Sequence, residues 1–190
     1  MSLFSNDIEQ CIEVLKKGGL ILYPTDTVWG IGCDATNEQA VAKIYALKKR
    51  IASKSMIVLI AEEKELIKYV AQPNLQIFDY IKGVSKPTTV IYEGAIGVAK
   101  NLVNEDGTLA IRIVKDKFCE KLIQLFEKPI VSTSANLSTY PSPAIFPDID
   151  TEIKNGVDYI VQHRQDDFNL AAPSAIIKWN KNGIPTIIRN

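Results

Sequence analysis

Apolar positions along the chain fall into two periods. Ile8, Cys11, Ile12 and Leu15 follow the 3.6-residue spacing of a helix face, with Ser5-Asn6-Asp7 ahead of them as capping chemistry and Gly18-Gly19 as a stop. The same spacing recurs from about Asn37 to Lys49, through Val41, Ile44, Tyr45 and Leu47, and again from Phe118 to Phe126. Leu66 to Val70 and Leu75 to Ile81 read as shorter helices on either side of Pro73. Short, nearly unbroken apolar runs predict buried strands at Leu20–Tyr23, Met56–Ala61, Thr88–Tyr92, Leu109–Val114, Pro129–Val131, Tyr159–Gln162, Ala175–Lys178 and Thr186–Arg189. The segments from Thr25 to Asp34 and around Pro141, Pro143 and Pro147 read as loops. Helices and strands alternate irregularly, without a repeat or a linker. The expectation is one α/β domain over residues 1–190, built on a mixed, twisted β-sheet with flanking helices.

Composition adds limits. Of the 190 residues, 46% are apolar and 23% charged, which is globular rather than disordered. A chain of this length buries roughly 70% of its unfolded surface without staples. Twenty-two basic residues balance twenty-two acidic ones, so bulk attraction to nucleic acid or membrane is not expected, though a local basic patch survives neutrality. Cys11, Cys33 and Cys119 are odd in number and far apart; no zinc-type pair forms, and reduced, buried thiols are expected. No apolar run approaches the roughly 18 residues of a membrane span. The N-terminus has no basic stretch followed by an apolar one, so no signal peptide and a cytoplasmic location are expected. His163 is the only histidine and reads as a surface residue, which excludes mechanisms that need two.

Three polar constellations could carry chemistry. Tyr23-Pro24-Thr25-Asp26-Thr27-Val28-Trp29-Gly30-Ile31-Gly32 follows a buried strand, where α/β proteins place ligands; a capped turn with Trp29 in the core is the other reading. It is not a P-loop, since no Gly-Lys-Ser/Thr follows. Lys48-Lys49-Arg50 with Lys54 is either a phosphate clamp or a solvated helix end. Ser132-Thr133-Ser134-Ala135-Asn136, just past a strand, offers small hydroxyls to a ligand or makes a polar turn. Arg112 interrupts an apolar strand and either faces solvent by alternation or anchors a carboxylate. Arg189, one residue from the end, reads as frayed when taken alone.

Taken in order, these segments resemble the YrdC-like, TsaC-type threonylcarbamoyl-AMP synthase family. The run from Tyr23 to Ala35, Lys48-x-Arg50 with Lys54, Leu109-Ala110-Ile111-Arg112, Ser134-Ala135-Asn136-x-Ser138, Pro173-Ser174-Ala175-Ile176-Ile177 and Ile187-Ile188-Arg189 all match, from about Gly18 to Arg189. The resemblance is to the short, single-domain form. It implies a YrdC-like domain with a concave groove that joins L-threonine, bicarbonate and ATP into threonylcarbamoyl-adenylate and pyrophosphate, for tRNA modification. By motif, Thr27, Arg112, Ser132 and Ser174 would contact threonine. Arg50, Lys54, Thr108, Ser134, Asn136, Ser142 and Arg189 would contact ATP, and Lys48, Arg50 and Lys54 would serve the adenylation. Leu59 stands where the family usually has a histidine, Ile51 and Val114 where it has prolines, and Ser85-Lys86-Pro87-Thr88-Thr89 replaces its Pro-Gly-Pro-x-Thr segment.

Adenylation needs no protein nucleophile; it needs two anions positioned and developing charge neutralised, which hydroxyls, Lys and Arg can do. Magnesium would arrive on the phosphates, with no protein metal site; Asp26 reads as orienting its loop rather than holding a metal. The implied partners are ATP, threonine, bicarbonate and downstream tRNA-modifying proteins, with weak RNA contact allowed and no membrane. Two rival readings are a double-stranded-RNA-binding module, disfavoured by the zero net charge, and a relative that adenylates carbamoyl phosphate.

Overall fold

The computed structural model describes residues 4–50, 56–170, 172–179 and 185–190. Among these residues, nine strands form one mixed sheet: β1 (Ile21–Tyr23), β2 (Gly30–Gly32), β3 (Ile57–Ile60), β4 (Thr88–Tyr92), β5 (Leu109–Ile113), β6 (Ile130–Ser134), β7 (Tyr159–Ile160), β8 (Ala175–Trp179) and β9 (Pro185–Arg189). Their order across the sheet is β7-β1-β2-β6-β3-β5-β4-β8-β9. The β1/β7, β3/β5 and β4/β8 pairs are parallel and the rest antiparallel. The central strands are buried on both faces, which is why β3 and, apart from Arg112, β5 read as apolar runs.

Among the described residues, five α-helices flank the sheet: α1 (Ser5–Lys16), α2 (Glu38–Leu47), α3 (Ile77–Gly83), α4 (Lys117–Phe126) and α5 (Thr151–Asn155). Asp116 caps α4, its Oδ1 accepting from the Cys119 amide at 3.0 Å, and Phe118, Cys119, Leu122, Ile123 and Phe126 bury one stripe. Each large apolar side chain buried there contributes about 1.5–3 kcal/mol. Helices α1 and α4 pack on each other, α1 also on β1 and β7, and α4 on β3.

The structure departs from these expectations in five places. Phe4 precedes α1 without a side-chain cap, and Asp7 instead turns inward to accept from Tyr159 Oη (2.6 Å) and the amides of Gln162 and His163. The segment read as a loop at 25–34 contains β2, which its neighbours β1 and β6 hold in place on both edges. Leu66 lies in a 3-10 turn at Glu63–Lys68, not an α-helix. The proline-rich loop ends in α5, capped by Asp150. His163 is half-buried, 5.0 Å from the Phe4 ring and stacked at 5.8 Å on Phe118. All three cysteines are free and buried. No helix among the described residues is long and apolar enough to cross a membrane.

Candidate active site

The site begins with a turn. Thr25 Oγ1 donates to the Val28 carbonyl and accepts from the Thr27 amide, both at 2.9 Å. That spends the Thr25 proton, so in the 2.9 Å contact between the two hydroxyls Thr27 is the donor and keeps its lone pairs for a ligand. The turn leads into β2, whose Gly30 lies opposite Ser134 of β6. Ser132, Thr133 and Ser134 are therefore the end of a strand, not the turn after it.

The end of α2 sorts its three cations. Lys49 adopts φ +50°, which throws consecutive side chains in different directions. Lys49 points outward to Glu152, 2.7 Å away. Lys48 is fully buried, its ammonium donating to the carbonyls of Ser134 and Asn136, and its own carbonyl accepts from the Ser138 amide at 3.0 Å. Burial pushes the Lys48 ammonium down to about 7, with the Arg50 charge adding to the shift. Arg50 turns into a cavity, where burial lowers its guanidinium below the usual range.

That cavity, about 160 Å³ in volume, is where the motifs meet. Thr27, Arg50, Arg112, Ser132, Ser134, Ser142, Ser174 and Arg189 all line it. Arg112 is 3% exposed, so the strand arginine faces the interior of the site rather than solvent. Arg189 is not frayed: it ends β9, and its Nε and Nη2 donate to the Ser174 carbonyl at 3.1 and 2.9 Å. Burial first, then the Arg112 charge, lowers the Arg189 guanidinium. Ser174 Oγ in turn contacts Thr89 Oγ1 at 2.8 Å. Three guanidinium groups thus converge on one concavity; among the described residues its lining contains no acidic side chain, although Asp26 lies beside Arg112. Such a wall is disfavoured until an anion enters, and it then holds that anion with preorganised donors.

Other sequence-predicted residues lie apart from the lining. Asn136 braces the site from behind: its Oδ1 accepts from Ser134 Oγ at 2.5 Å, and its Nδ2 donates to the carbonyls of Leu137 and Tyr140. Thr108 stands at the far end of β5 from Arg112, about 13 Å along the strand, with its hydroxyl donating to Asp106 Oδ1 at 2.6 Å. The structure does not bring Thr108 to the cavity. Lys54 lies outside the described residues. Leu59, in register with Arg112 across β3 and β5, is fully buried and offers no donor. Thr89 escaped the sequence reading, and Asp26, read there as orienting its loop, has a partner that the reading did not name. Thr89, whose place at the start of an otherwise apolar strand was the available signal, supports Ser174. Asp26 lies 3.0 Å from Arg112, and nothing in the spacing of the two residues announces that contact.

The family model Sua5/YciO/YrdC, described as telomere recombination, matches residues 13–190. The chain belongs to this family. Among relatives of this Sua5/YciO/YrdC chain is a threonylcarbamoyl-AMP synthase of Pseudoalteromonas translucida (strain TAC 125), 36% identical over 134 residues, which cover 69% of this chain and 72% of the relative. Another, from Vibrio cholerae serotype O1 (strain ATCC 39541 / Classical Ogawa 395 / O395), is 30% identical over 165 residues, 85% of this chain and 87% of the relative. The structure of P. abyssi Sua5 complexed with L-threonine superposes with a TM-score of 0.83 at 25% identity, covering 96% of this chain. This Sua5/YciO/YrdC chain spans about half of that one, 53%. E. coli YciO has the same fold, with a TM-score of 0.83 at 21% identity, over 97% of this chain and 89% of that one.

Proposed function

We propose that this protein is a threonylcarbamoyl-AMP synthase, which joins L-threonine, bicarbonate and ATP into threonylcarbamoyl-adenylate and pyrophosphate. The observation that carries the reading is the convergence of Arg50, Arg112 and Arg189 with the hydroxyl residues Thr27, Ser132, Ser134, Ser142 and Ser174 on one cavity, in a chain whose relatives bear that name. The threonine amine and bicarbonate combine to a carbamate with loss of water. A carbamate oxygen then attacks the α-phosphorus of ATP, and pyrophosphate leaves. The threonine carboxylate, the carbamate and the phosphates are anions, and the cavity offers them Arg50, Arg112 and Arg189.

In this reading Arg112 takes the threonine carboxylate, with Thr27, Ser132 and Ser174 around it. Arg50 and Arg189 face the triphosphate, a role that the family motif extends to Lys54, with Ser134 and Ser142 as hydroxyl donors. Lys48 and Asn136 act from behind, by holding the Ser134 end of β6. A magnesium ion would come with ATP and be held by phosphate oxygens. The product, a mixed anhydride, would pass to tRNA-modifying proteins in the cytoplasm.

The test is pyrophosphate release from the purified chain with magnesium-ATP. Release is expected only when both threonine and bicarbonate are present. Equal release with ATP alone would make the protein a hydrolase, and release with carbamoyl phosphate in place of threonine and bicarbonate would reassign its substrate.

A further inference from the structure

Buried carboxylates in this chain are well supplied with partners, with one exception. Asp7 accepts three hydrogen bonds. Asp34 accepts from the amide and hydroxyl of Thr36 and from Lys128. Asp116 caps α4 and accepts from Arg164 Nη2 at 2.8 Å. Asp26 differs. Its side chain is 10% exposed, and Oδ1 lies 3.0 Å from Nη2 of Arg112, whose own side chain is 3% exposed. Yet both Asp26 oxygens, and the Nε and Nη2 of Arg112, are buried without a hydrogen-bond partner. The two groups are close enough to attract, but their mutual angles make no hydrogen bond. A buried pair serving structure alone satisfies its donors and acceptors, because leaving them unmade is costly. Four unspent polar atoms, two on Arg112, which lines the cavity, and two on Asp26 beside it, therefore point to a missing participant.

Charge decides what kind of participant. Arg50 and Arg189 give the cavity its positive character, whereas Arg112 is neutralised locally by Asp26. A plain carboxylate taken by Arg112 would be repelled by Asp26. An α-amino acid is not, since its ammonium lies one carbon from its carboxylate and brings the complementary charge. Asp26 is one residue before Thr27, which lines the cavity, so a ligand carboxylate on Arg112 carries its ammonium into the field of Asp26.

We propose that Asp26 is the specificity-determining residue of the amino-acid site: with Arg112 it forms a charge pair that selects a zwitterionic amino acid over a simple carboxylate and keeps the phosphates of ATP to the Arg50 and Arg189 side. This rests on the reading of the cavity as a threonine and ATP site and adds how its amino-acid end discriminates.

Calorimetric titration of the full chain tests it with three ligands: L-threonine, 2,3-dihydroxybutyrate (a hydroxyl replaces the amine) and 1-amino-2-propanol (the carboxylate is missing). The parent should bind threonine at least tenfold more tightly than either analogue. Asp26→Asn should close the gap to dihydroxybutyrate to about twofold, by weakening threonine while leaving the hydroxy acid unchanged or tighter; Asp26→Glu should recover part of the preference. A parallel loss for threonine and dihydroxybutyrate in Asp26→Asn would reduce Asp26 to a support for Arg112 and overturn the proposal, as would unchanged threonine affinity. Should Asp26→Asn fail to fold by circular dichroism, the parent titrations still decide: no preference for threonine over dihydroxybutyrate overturns it. Pyrophosphate release that needs threonine and bicarbonate, alongside an unselective Asp26, would sink this inference alone. A parent that binds no threonine would sink the functional reading with it.

Discussion

Lys48 shows how one side chain can be misjudged from its neighbours. In the sequence it is one of a run of cations at a helix end, where solvation is the ordinary fate. In the structure it is buried, and its ammonium joins the end of α2 to the carbonyls of Ser134 and Asn136. Desolvation lowers its folded-state value to about 7 from an ordinary 10.5. Between those values the unfolded chain binds the extra proton, so the contribution of Lys48 to stability rises with pH from about 7 to 10.5 and is flat below. Denaturant unfolding of the parent and of Lys48→Met across pH 6 to 10.5 should show their stability difference changing in the parent's favour over that window, by up to about 1.4 kcal/mol per pH unit. A difference independent of pH would mean that the ammonium stays charged throughout.

Among the elements, β2 is the one whose existence depends most on its neighbours. It is three residues long and two of them are glycines, which have poor strand propensity. The glycines are required by what stands beside them. A Cβ on Gly32 would lie 2.6 Å from the Tyr23 ring and 2.8 Å from the Val131 carbonyl, the same carbonyl that accepts from Tyr23 Oη. A Cβ on Gly30 would lie 3.1 Å from Ser132 Oγ, on the cavity wall. Gly32→Ala should therefore destabilise by about 1–3 kcal/mol through overpacking. Gly30→Ala should cost less stability but depress pyrophosphate release, because it crowds the cavity. Urea melts and turnover of the two variants check this; the reverse ranking would mean that the Tyr23 ring yields more easily than Ser132.

At the scale of the whole molecule, the sheet closes the site by bringing distant segments to one place. Thr27, Arg112, Ser174 and Arg189 span nearly the full chain, yet they line one cavity. The last element, β9, is an edge strand whose Ile187 and Ile188 are more than half exposed, so it adds little to the core. It does deliver Arg189 to Ser174. Deleting residues 185–190 should leave a folded protein with a lowered melting temperature, a newly exposed β8 edge that promotes association, and no pyrophosphate release. Circular dichroism, light scattering and the release assay read the three outcomes separately. Full activity in the truncated chain would remove Arg189 from the site.

Much of this protein was determined locally. The helical periods of α2 and α4, and the apolar runs of β3, β4 and β5, are set by burial of side chains a few residues apart, which any reading of alternation detects. The cavity-lining residues Thr27, Arg112 and Ser134 stood out as polar groups at strand ends or inside an apolar strand, but the residues alone left them, and Arg50 at its helix end, open to a structural reading; the family resemblance is what directed them to a ligand. The tertiary structure alone decided the rest. It made β2 a strand by supplying β1 and β6 on its two edges, turned His163 between two rings, and left Thr108 at the wrong end of β5 while carrying Arg189 to Ser174 across the β8/β9 pairing. It also set Asp26 beside Arg112. These outcomes depend on contacts between residues up to most of a chain length apart, and the pattern of nearest neighbours carries no record of such pairs.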